Sequence, residues 1–366
     1  MTDRCVLRFA PIATPPLGTL GVICAGVYWL RVPIPIPLKT INLWVLGDQD
    51  GVTLIDTGMN HDDCRSVWNA VAAEIASIGP VRDIVCTHWH PDHFGLADFL
   101  QSRYNVPVWL SAADWDAVQE FWNTPGSDWA KRNRAFYARH GFSPPAAFDD
   151  VLSLEEYRLG IGGLPSTLKP IAGDHRLTSG GHEWRAILTQ GHTQGHICFY
   201  SATLGLLISG DQLLPKISTN VSVSLMRNGD DPLSQFLESL EILGRLPRET
   251  IVLPAHGMPF FDPLRRAEDL RAHHALKLEL ARSAASTPIS AVDATKLLFM
   301  GAQDGMNMIL AMGETLAHLR RLTTTGALSE MVGADGVHRF VNRHDPDIRT
   351  DHGGDHVISS LHQLSQ

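Results

Sequence analysis

The sequence predicts an α/β fold followed by a smaller, mostly helical segment. Three observations lead to this prediction. Short apolar runs alternate with helical patterns, which is typical of α/β folds; clusters of His and Asp directly follow several of these runs; and the composition shifts after Pro263 towards Ala, Leu, Arg and Glu. With 366 residues the chain can bury one large core with a small second domain, or two mid-sized domains.

Composition and charge exclude some classes of function. A formal net charge of -9 argues against a protein that binds a phosphate backbone, and 18 His beside only 5 Cys favour metal chemistry. The cysteines are odd in number and dispersed, as expected for reduced thiols. The N-terminus does not resemble a signal peptide, and the longest apolar run falls short of the roughly 20 residues of a spanning helix. We therefore expect a cytoplasmic protein without membrane contact.

The elements of the first part follow from periodicity and turn signals. The Asp50-Gly51 pair predicts a hairpin between two strands, and Val67, Val71 and Ile75 fall on one face of a helix. The alternating prolines of residues 32–38 predict an edge or a loop, either packed or forming a flap over a substrate. The predicted elements are strands Val22–Arg31, Ile41–Leu46, Val52–Ile55, Val81–Thr87 and Val106–Leu110, and helices Asp62–Ile78 and Leu96–Tyr104.

Residues 111–165 interrupt this alternation and predict two or three helices rich in aromatic residues. Two interpretations stay open: the aromatic side chains pack on the domain, or they form a lid that shapes an apolar pocket. The second makes Trp115, Trp122 and Tyr137 candidate pocket residues.

Later strands are predicted at Trp184–Leu188, Ile197–Ser201, Leu206–Ile208 and Ile251–Leu253, with a helix at Pro232–Leu246. Three helices then precede a short hairpin, which is the outline of a winged helix: Leu264–Ser286, Ser290–Phe299, Met306–Thr323 and the hairpin Gly333–Val341. We predict a catalytic domain over residues 1–263 and a winged-helix-like domain over 264–342. Residues 343–366 are polar and predict a mobile tail.

The strongest chemical signal is Thr87-His88-Trp89-His90-Pro91-Asp92-His93, directly after an apolar run. A turn at a strand end can aim alternate side chains at one point, and imidazole and carboxylate are ligands of divalent transition metals. A chance cluster of surface histidines is the alternative. The spacing of four potential ligands favours a metal site.

Three further motifs repeat this arrangement. Gly191-His192-Thr193-Gln194-Gly195-His196, Gly210-Asp211 and Pro254-Ala255-His256-Gly257 each follow a predicted strand. Sheet folds of this kind place their sites at the carboxyl ends of strands. The four segments are therefore expected to meet.

These motifs, in this order, resemble those of the metallo-β-lactamase superfamily. Leu54-Ile55-Asp56-Thr57-Gly58 is similar to an early Asp-containing turn of that family. The resemblance spans roughly Gly26 to Gly257 and implies a four-layer αβ/βα sandwich with metals at one edge of its two sheets.

Matched motif by motif, the resemblance implies that seven side chains hold two divalent metal ions, zinc or else manganese or iron. Asp56 would orient one ligand histidine. Thr193 and His196 match the motif without an assigned role. One ion would be held by His88, His90 and His192 and the other by Asp92, His93 and His256, with Asp211 bridging both.

The ligand count implies a binuclear hydrolase, in which a metal-bridging hydroxide attacks an acyl carbonyl. Asp92 and Asp211 are then its catalytic carboxylates. Many true β-lactamases of the superfamily lack a bridging carboxylate, so we do not expect β-lactamase activity.

Acyl-homoserine lactonases of the superfamily have a Tyr three residues after the bridging Asp, where this chain has Leu214, a further candidate pocket residue. A thiolate leaves without the acid that an alkoxide needs, which favours a thioester substrate. Lactone hydrolysis stays open because Tyr137 could supply the hydroxyl. RNA or phosphodiester hydrolysis and a mononuclear-iron persulfide dioxygenase are further alternatives.

The C-terminal segment resembles the winged helix of one branch of the superfamily, a branch linked to thioester hydrolysis and to RNA cleavage. Its predicted recognition helix carries Arg320 and Arg321 but also Glu314, which is a low cation density for phosphate binding. We expect this segment to pack or to form a homodimer rather than to bind nucleic acid. The expected partner is a small acyl substrate.

Overall fold

A computed structural model describes residues 7–301 and 305–343. Sixteen strands and eleven helices alternate along this part of the chain, and each helix there is too short or too polar to cross a membrane. The elements are β1 (Leu20–Cys24), β2 (Val27–Pro33), β3 (Thr40–Asp48), β4 (Gly51–Ile55), α1 (Asp62–Ile78), β5 (Val81–Val85), α2 (Pro91–Phe94), α3 (Ala97–Tyr104), β6 (Val108–Ser111), α4 (Ala112–Asn123), α5 (Gly126–Arg139), α6 (Asp149–Ser153), α7 (Glu155–Leu159), β7 (Leu168–Ile171), β8 (Arg176–Ser179), β9 (His182–Thr189), β10 (His196–Ser201), β11 (Leu206–Gly210), α8 (Pro232–Gly244), β12 (Ile251–Pro254), β13 (Phe260–Phe261), α9 (Pro263–Ala284), β14 (Ile289–Ser290), α10 (Ala291–Leu298), α11 (Gly305–Thr324), β15 (Leu328–Val332) and β16 (His338–Asn342).

Two large sheets form the centre of the molecule. The first has the order β1-β2-β3-β4-β5-β6-β7, and the second has the order β13-β12-β11-β10-β9-β8. Their facing sides share one apolar cluster, in which the stacked rings of Trp29 and Trp44, with centroids 5.7 Å apart, meet residues of the second sheet such as Trp184 and Phe199. Burying both inner faces removes a large apolar area from water and so holds the sheets together.

Helices cover the outer faces. The first sheet packs against α1, α3 and α4 through residues such as Trp68, Leu100 and Phe121. The second sheet packs against α8, α9 and α11. The order helices, sheet, sheet, helices confirms the predicted four-layer α/β sandwich.

The predicted C-terminal elements are present, and β14, β16 and β15 form a separate three-stranded sheet. The predicted turn at 333–336 joins β15 to β16, with the Gly336 amide donating to the Gly333 carbonyl at 2.9 Å. The winged-helix resemblance and the domain boundary at residue 263 stay predictions. The predicted tail lies outside the described residues from position 344 onwards.

The prediction of one strand over Val22–Arg31 was wrong. The chain turns back at Ala25-Gly26, so β1 and β2 pair as an antiparallel hairpin. Gly26 has φ +79°, and a Cβ atom there would lie 2.1 Å from the Gly180 carbonyl oxygen, so a glycine is needed. Strands β7 and β8 were not predicted, because both are short and carry few apolar residues.

The proline-rich segment of residues 32–38 covers the end of β2 and the loop that leads to β3. Its Ile34 side chain is buried against the first sheet, and the Ile34 amide donates to the Lys39 carbonyl at 2.9 Å. The Ile34 contact agrees with a packed loop, whereas Leu38 near the tip of the loop is 39% exposed, so the flap over a substrate stays a prediction.

Candidate metal centre

The four predicted ligand segments meet at one edge of the sandwich. Each begins where a strand of a large sheet ends, and Pro91 starts the short helix α2 directly after His90. They are residues 86–93 after β5, 190–195 after β9, 211–214 after β11 and 255–257 after β12. The strand ends thus bring together residues as distant in the chain as His88 and His256, which are 168 positions apart (256 − 88).

Three imidazoles form one group of potential ligands. His88 Nε2 lies 3.0 Å from His90 Nδ1 and 3.2 Å from His192 Nε2. The rings of His90 and His192 are nearly perpendicular, at 86°. The three nitrogens therefore point at a common position.

Asp92, His93 and His256 form a second group. Asp92 Oδ2 lies 3.2 Å from His256 Nε2 and 3.7 Å from His93 Nε2. His93 is fully buried and His256 nearly so. One carboxylate oxygen and two imidazole nitrogens suit a divalent transition metal.

Asp211 lies between the two groups. Its Oδ2 is 3.6 Å from His192 Nε2, whereas its Oδ1 is 3.5 Å from both His93 Nε2 and His256 Nε2. Each oxygen thus faces a different group, which is the geometry that a bridging carboxylate needs.

Hydrogen bonds from Nδ1 fix the tautomers of His192 and His256. His192 Nδ1 donates to the Asn220 carbonyl at 2.8 Å, and His256 Nδ1 donates to the Thr40 carbonyl at 2.9 Å. A carbonyl can only accept, so each Nδ1 carries the proton and each Nε2 turns a lone pair towards the site. Both rings are held in the form that can bind a metal.

Asp56 orients His93, as the resemblance implied. Its Oδ2 accepts from His93 Nδ1 at 2.8 Å, and its Oδ1 accepts from the Thr87 amide at 2.7 Å. Asp56 has φ +63°, a left-handed conformation in which a non-glycine residue is strained. The turn therefore keeps this carboxylate under the ligand loop at a cost in backbone energy.

The pKa values of the candidate ligands shift in different directions. Burial, and then the neighbouring His93, hold the pKa of His88 well below its usual value. Burial alone would raise the pKa of Asp92, but His93 and His256 outweigh it and lower that pKa to about 2. Burial alone would lower the pKa of His93, but Asp92 and Asp56 raise it well above its usual value.

The residues fit two divalent metal ions. Within the described chain, His93 Nε2, Asp211 Oδ1 and His256 Nε2 are buried without a hydrogen-bond partner. Burying such atoms is costly unless something binds them, and Asp211 Oδ1 lies 3.5 Å from each of the two imidazole nitrogens. A cation there would satisfy these atoms and would bind the carboxylates.

Two supporting residues had no role assigned from the sequence. His196 accepts from the Asp211 amide through Nε2 at 3.1 Å, so it positions the bridging residue rather than facing the site. Asp114 accepts from the Trp89 amide, the Thr193 hydroxyl and the Gly195 amide, and burial raises its pKa to about 7. Ser111-Ala-Ala-Asp114 starts the helix α4, and nothing in this short sequence reveals the partners of Asp114, because they are distant in the chain.

A cleft of about 290 Å³ opens beside His90 and His192. Of the four predicted pocket residues, Tyr137 lines it, Trp115 and Trp122 pack against the core of the first sheet, and Leu214 is buried apart from the lining. Tyr157, not selected from the sequence, also lines the cleft, with its ring centroid 6.0 Å from that of His90. The helical insertion thus packs on the domain and also contributes a wall of the cleft.

Comparison with known proteins agrees with this geometry. Residues 37–256 match the model of the metallo-beta-lactamase superfamily, and residues 278–343 match that of the metallo-beta-lactamase-like C-terminal domain. A β-lactamase domain protein from Burkholderia ambifaria has a solved structure with TM-score 0.83 and 32% identity, covering 94% of this chain and 99% of that one. A probable metallo-hydrolase of Bacillus subtilis is 26% identical over 82% of this chain and 93% of its own length. A hydroxyacylglutathione hydrolase of Nitrosomonas eutropha is 25% identical over 60% of this chain and 61% of its own.

The superfamily model covers more than half of the chain, and it ends at His256, the last of the seven residues that meet at the sheet edge. The chain belongs to the metallo-β-lactamase superfamily.

Proposed function

We propose that this chain is a hydrolase that uses two divalent metal ions, zinc most readily, to cleave an acyl thioester. The observation that carries the binuclear part is Asp211, whose two oxygens face different groups of ligands. His88, His90 and His192 would hold one ion and Asp92, His93 and His256 the other. When bound, the ions supply Lewis acidity that lowers the pKa of a water molecule and stabilises negative charge on an acyl oxygen.

The chain itself supplies binding and orientation. Val223, Ile309 and Leu310 give the cleft an apolar wall beside His90 and His192, which suits an acyl chain next to the reacting carbonyl. Glu120 and Gln194 line the same cleft and could orient a polar part of the substrate. The cleft volume suits a small molecule.

The leaving group decides between substrates. Leu214, three residues after Asp211, is buried and apolar and offers no proton, so a leaving group that needs none is favoured. A thiolate meets this condition. The likeness to a hydroxyacylglutathione hydrolase supports the same choice.

A lactone is the second candidate, and Tyr157 favours it. Burial, and then the charges of Asp92 and Asp211, raise the pKa of Tyr157 well above its usual value, so its hydroxyl stays protonated. A protonated hydroxyl in the cleft could donate to an alkoxide leaving group.

The test compares initial rates on an acyl thioester and a lactone of matched chain length, with zinc- or manganese-reconstituted protein. We expect the thioester to be preferred. We also expect Tyr157→Phe to hydrolyse the thioester within about twofold of the wild-type rate, because a thiolate needs no acid. A lactone preference that Tyr157→Phe abolishes would overturn the thioester proposal.

Asp211→Ala should abolish turnover of either substrate while the far-ultraviolet circular dichroism spectrum is kept. Full activity in this variant would overturn the binuclear proposal itself.

The four described cysteines are free thiols, which supports a reducing cytoplasm as the compartment.

A further inference from the structure

A second cluster of potential metal ligands lies between α9 and α11, outside residues 37–256 that match the superfamily model. His274 comes from α9, whereas Glu314 and His318 come from α11. The two α11 residues are four positions apart and so share one face of the helix. The three donor atoms lie within 4.8 Å of one another.

A hydrogen bond fixes the tautomer of His318. His318 Nδ1 donates to the Glu314 carbonyl oxygen at 2.7 Å, so its Nε2 keeps a lone pair. That Nε2 lies 3.2 Å from His274 Nδ1. Two nitrogens that bind one tetrahedral ion at about 2.0–2.1 Å are about 3.3 Å apart. The observed separation suits a hydrogen bond from His274 Nδ1 to His318 Nε2, and it is also close to the value that a shared ion requires.

One buried carboxylate oxygen of the cluster is not satisfied by the protein. Among the described residues, Glu314 Oε1 has no hydrogen-bond partner, and Glu314 is only 8% exposed. Burial raises the pKa of Glu314 to about 7 and outweighs the charge of Lys277, one turn after His274, which lowers that pKa. The Lys277 ammonium group itself donates to the Leu298 carbonyl and lies 4.0 Å from the centroid of the Phe299 ring. A carboxylate buried in this way is stabilised by a further positive charge.

We propose that His274, Glu314 and His318 bind a divalent transition metal ion, Zn²⁺ most readily. Two imidazoles and one carboxylate are ligands of such ions, whereas Mg²⁺ and Ca²⁺ prefer oxygen alone. Ligands at about 2.0–2.2 Å from one ion are at most about 4.4 Å apart. Donor atoms within 4.8 Å of one another therefore need at most a small side-chain rotation to share an ion.

The site has an access path and a structural consequence. Glu314 lines a cavity of about 350 Å³ together with Asn220 and Leu310, through which an ion and a water ligand can reach it. Leu310 and Gly313, one turn or less from Glu314, line the cleft beside the binuclear centre. The ion joins α9 to α11 and thereby fixes the helix that forms one wall of that cleft.

The test is metal content, and it does not depend on any hydrolase assay. The full-length protein is reconstituted with zinc and freed of loose metal by gel filtration, and zinc per chain is measured by mass spectrometry. We expect His318→Gln to bind one ion per chain fewer than the wild type. The matched control is His273→Gln, which alters the exposed neighbour of His274 and should keep the wild-type content. Equal zinc content in His318→Gln and the wild type would overturn the proposal.

A second measurement covers the case in which His318→Gln does not fold. Crystals of the wild-type holoenzyme are measured at the zinc absorption edge. An anomalous peak between His274, Glu314 and His318 supports the site. Peaks at the binuclear centre with none between these three residues would overturn it, whatever the substrate of the enzyme.

Discussion

The carboxylate of Asp56 gives the sharpest test of how the ligand loop is held. It is 1% exposed and accepts from the Thr87 amide at 2.7 Å, the Thr87 hydroxyl at 2.9 Å and His93 Nδ1 at 2.8 Å. Asp56→Asn keeps the size of the side chain but places an NH₂ group where one oxygen was. If the oxygen of the new side chain still accepts the hydrogen bond from the Thr87 backbone amide, the NH₂ group of that side chain faces His93 Nδ1.

Two donors cannot share that contact, so His93 must move its proton to Nε2. This is the nitrogen that lies 3.5 Å from Asp211 Oδ1, and a protonated nitrogen cannot bind a metal. Loss of such an orienting partner typically weakens metal affinity about 10–100-fold. That corresponds to about 1.4–2.8 kcal/mol.

The affinity is measured by competition with a chromogenic chelator. We expect Asp56→Asn to release one of the two proposed ions at a chelator concentration at least about tenfold lower than that for the wild type. The matched control is Asp50→Asn, the same change on an exposed turn, which should leave both affinities unchanged. If Asp56→Asn binds both ions within twofold of the wild type, the reasoning about the His93 tautomer is wrong.

Two further predictions concern stability. Gly26→Ala should cost more unfolding free energy in urea than Gly205→Ala: both glycines have positive φ, at +79° and +64°, but a new Cβ meets the Gly180 carbonyl oxygen only at Gly26. The left-handed strain alone costs about 1–2 kcal/mol, and equal losses would contradict the proposed clash. Burial, reinforced by His338, lowers the pKa of His140 to about 4 from 6.5, so the unfolded chain binds more protons in that window and stability falls as the pH drops through it. His140→Gln should remove up to about 3 kcal/mol of this loss. If the free energy of unfolding of His140→Gln falls between pH 7 and pH 4 as steeply as that of the wild type, the prediction is wrong.

The sequence predicted well which side chains meet at the sheet edge, because its signals are local. His88, His90, Asp92 and His93 are close in the chain, and each other ligand follows a short apolar strand, so strand ends alone indicated that they meet. The hairpin of β3 and β4 and the helix α1 followed from the same short-range patterns.

What could not be predicted depends on distant contacts. Leu310 and Gly313 on α11 reach the cleft because the Val223 amide donates to the Gly313 carbonyl at 3.0 Å, a contact across 90 positions (313 − 223). The cluster on α9 and α11 was missed for the same reason, since His274 meets His318 only after both helices pack. Edge strands such as β7 carry too few apolar residues to be recognised alone.

His196 explains why a motif can contain a histidine that does not face the metals. Its Nε2 accepts from the Asp211 amide, and Gly210 must have no side chain, because a Cβ atom there would lie 2.5 Å from that same nitrogen and the residue has φ +50°. Because Nε2 accepts from that amide, the opposite ring nitrogen, Nδ1, carries the proton and donates to the Thr189 hydroxyl at 3.0 Å. Gly210, Asp211 and His196 therefore act as one unit, in which the glycine makes room for the imidazole and the imidazole holds the backbone of the bridging carboxylate.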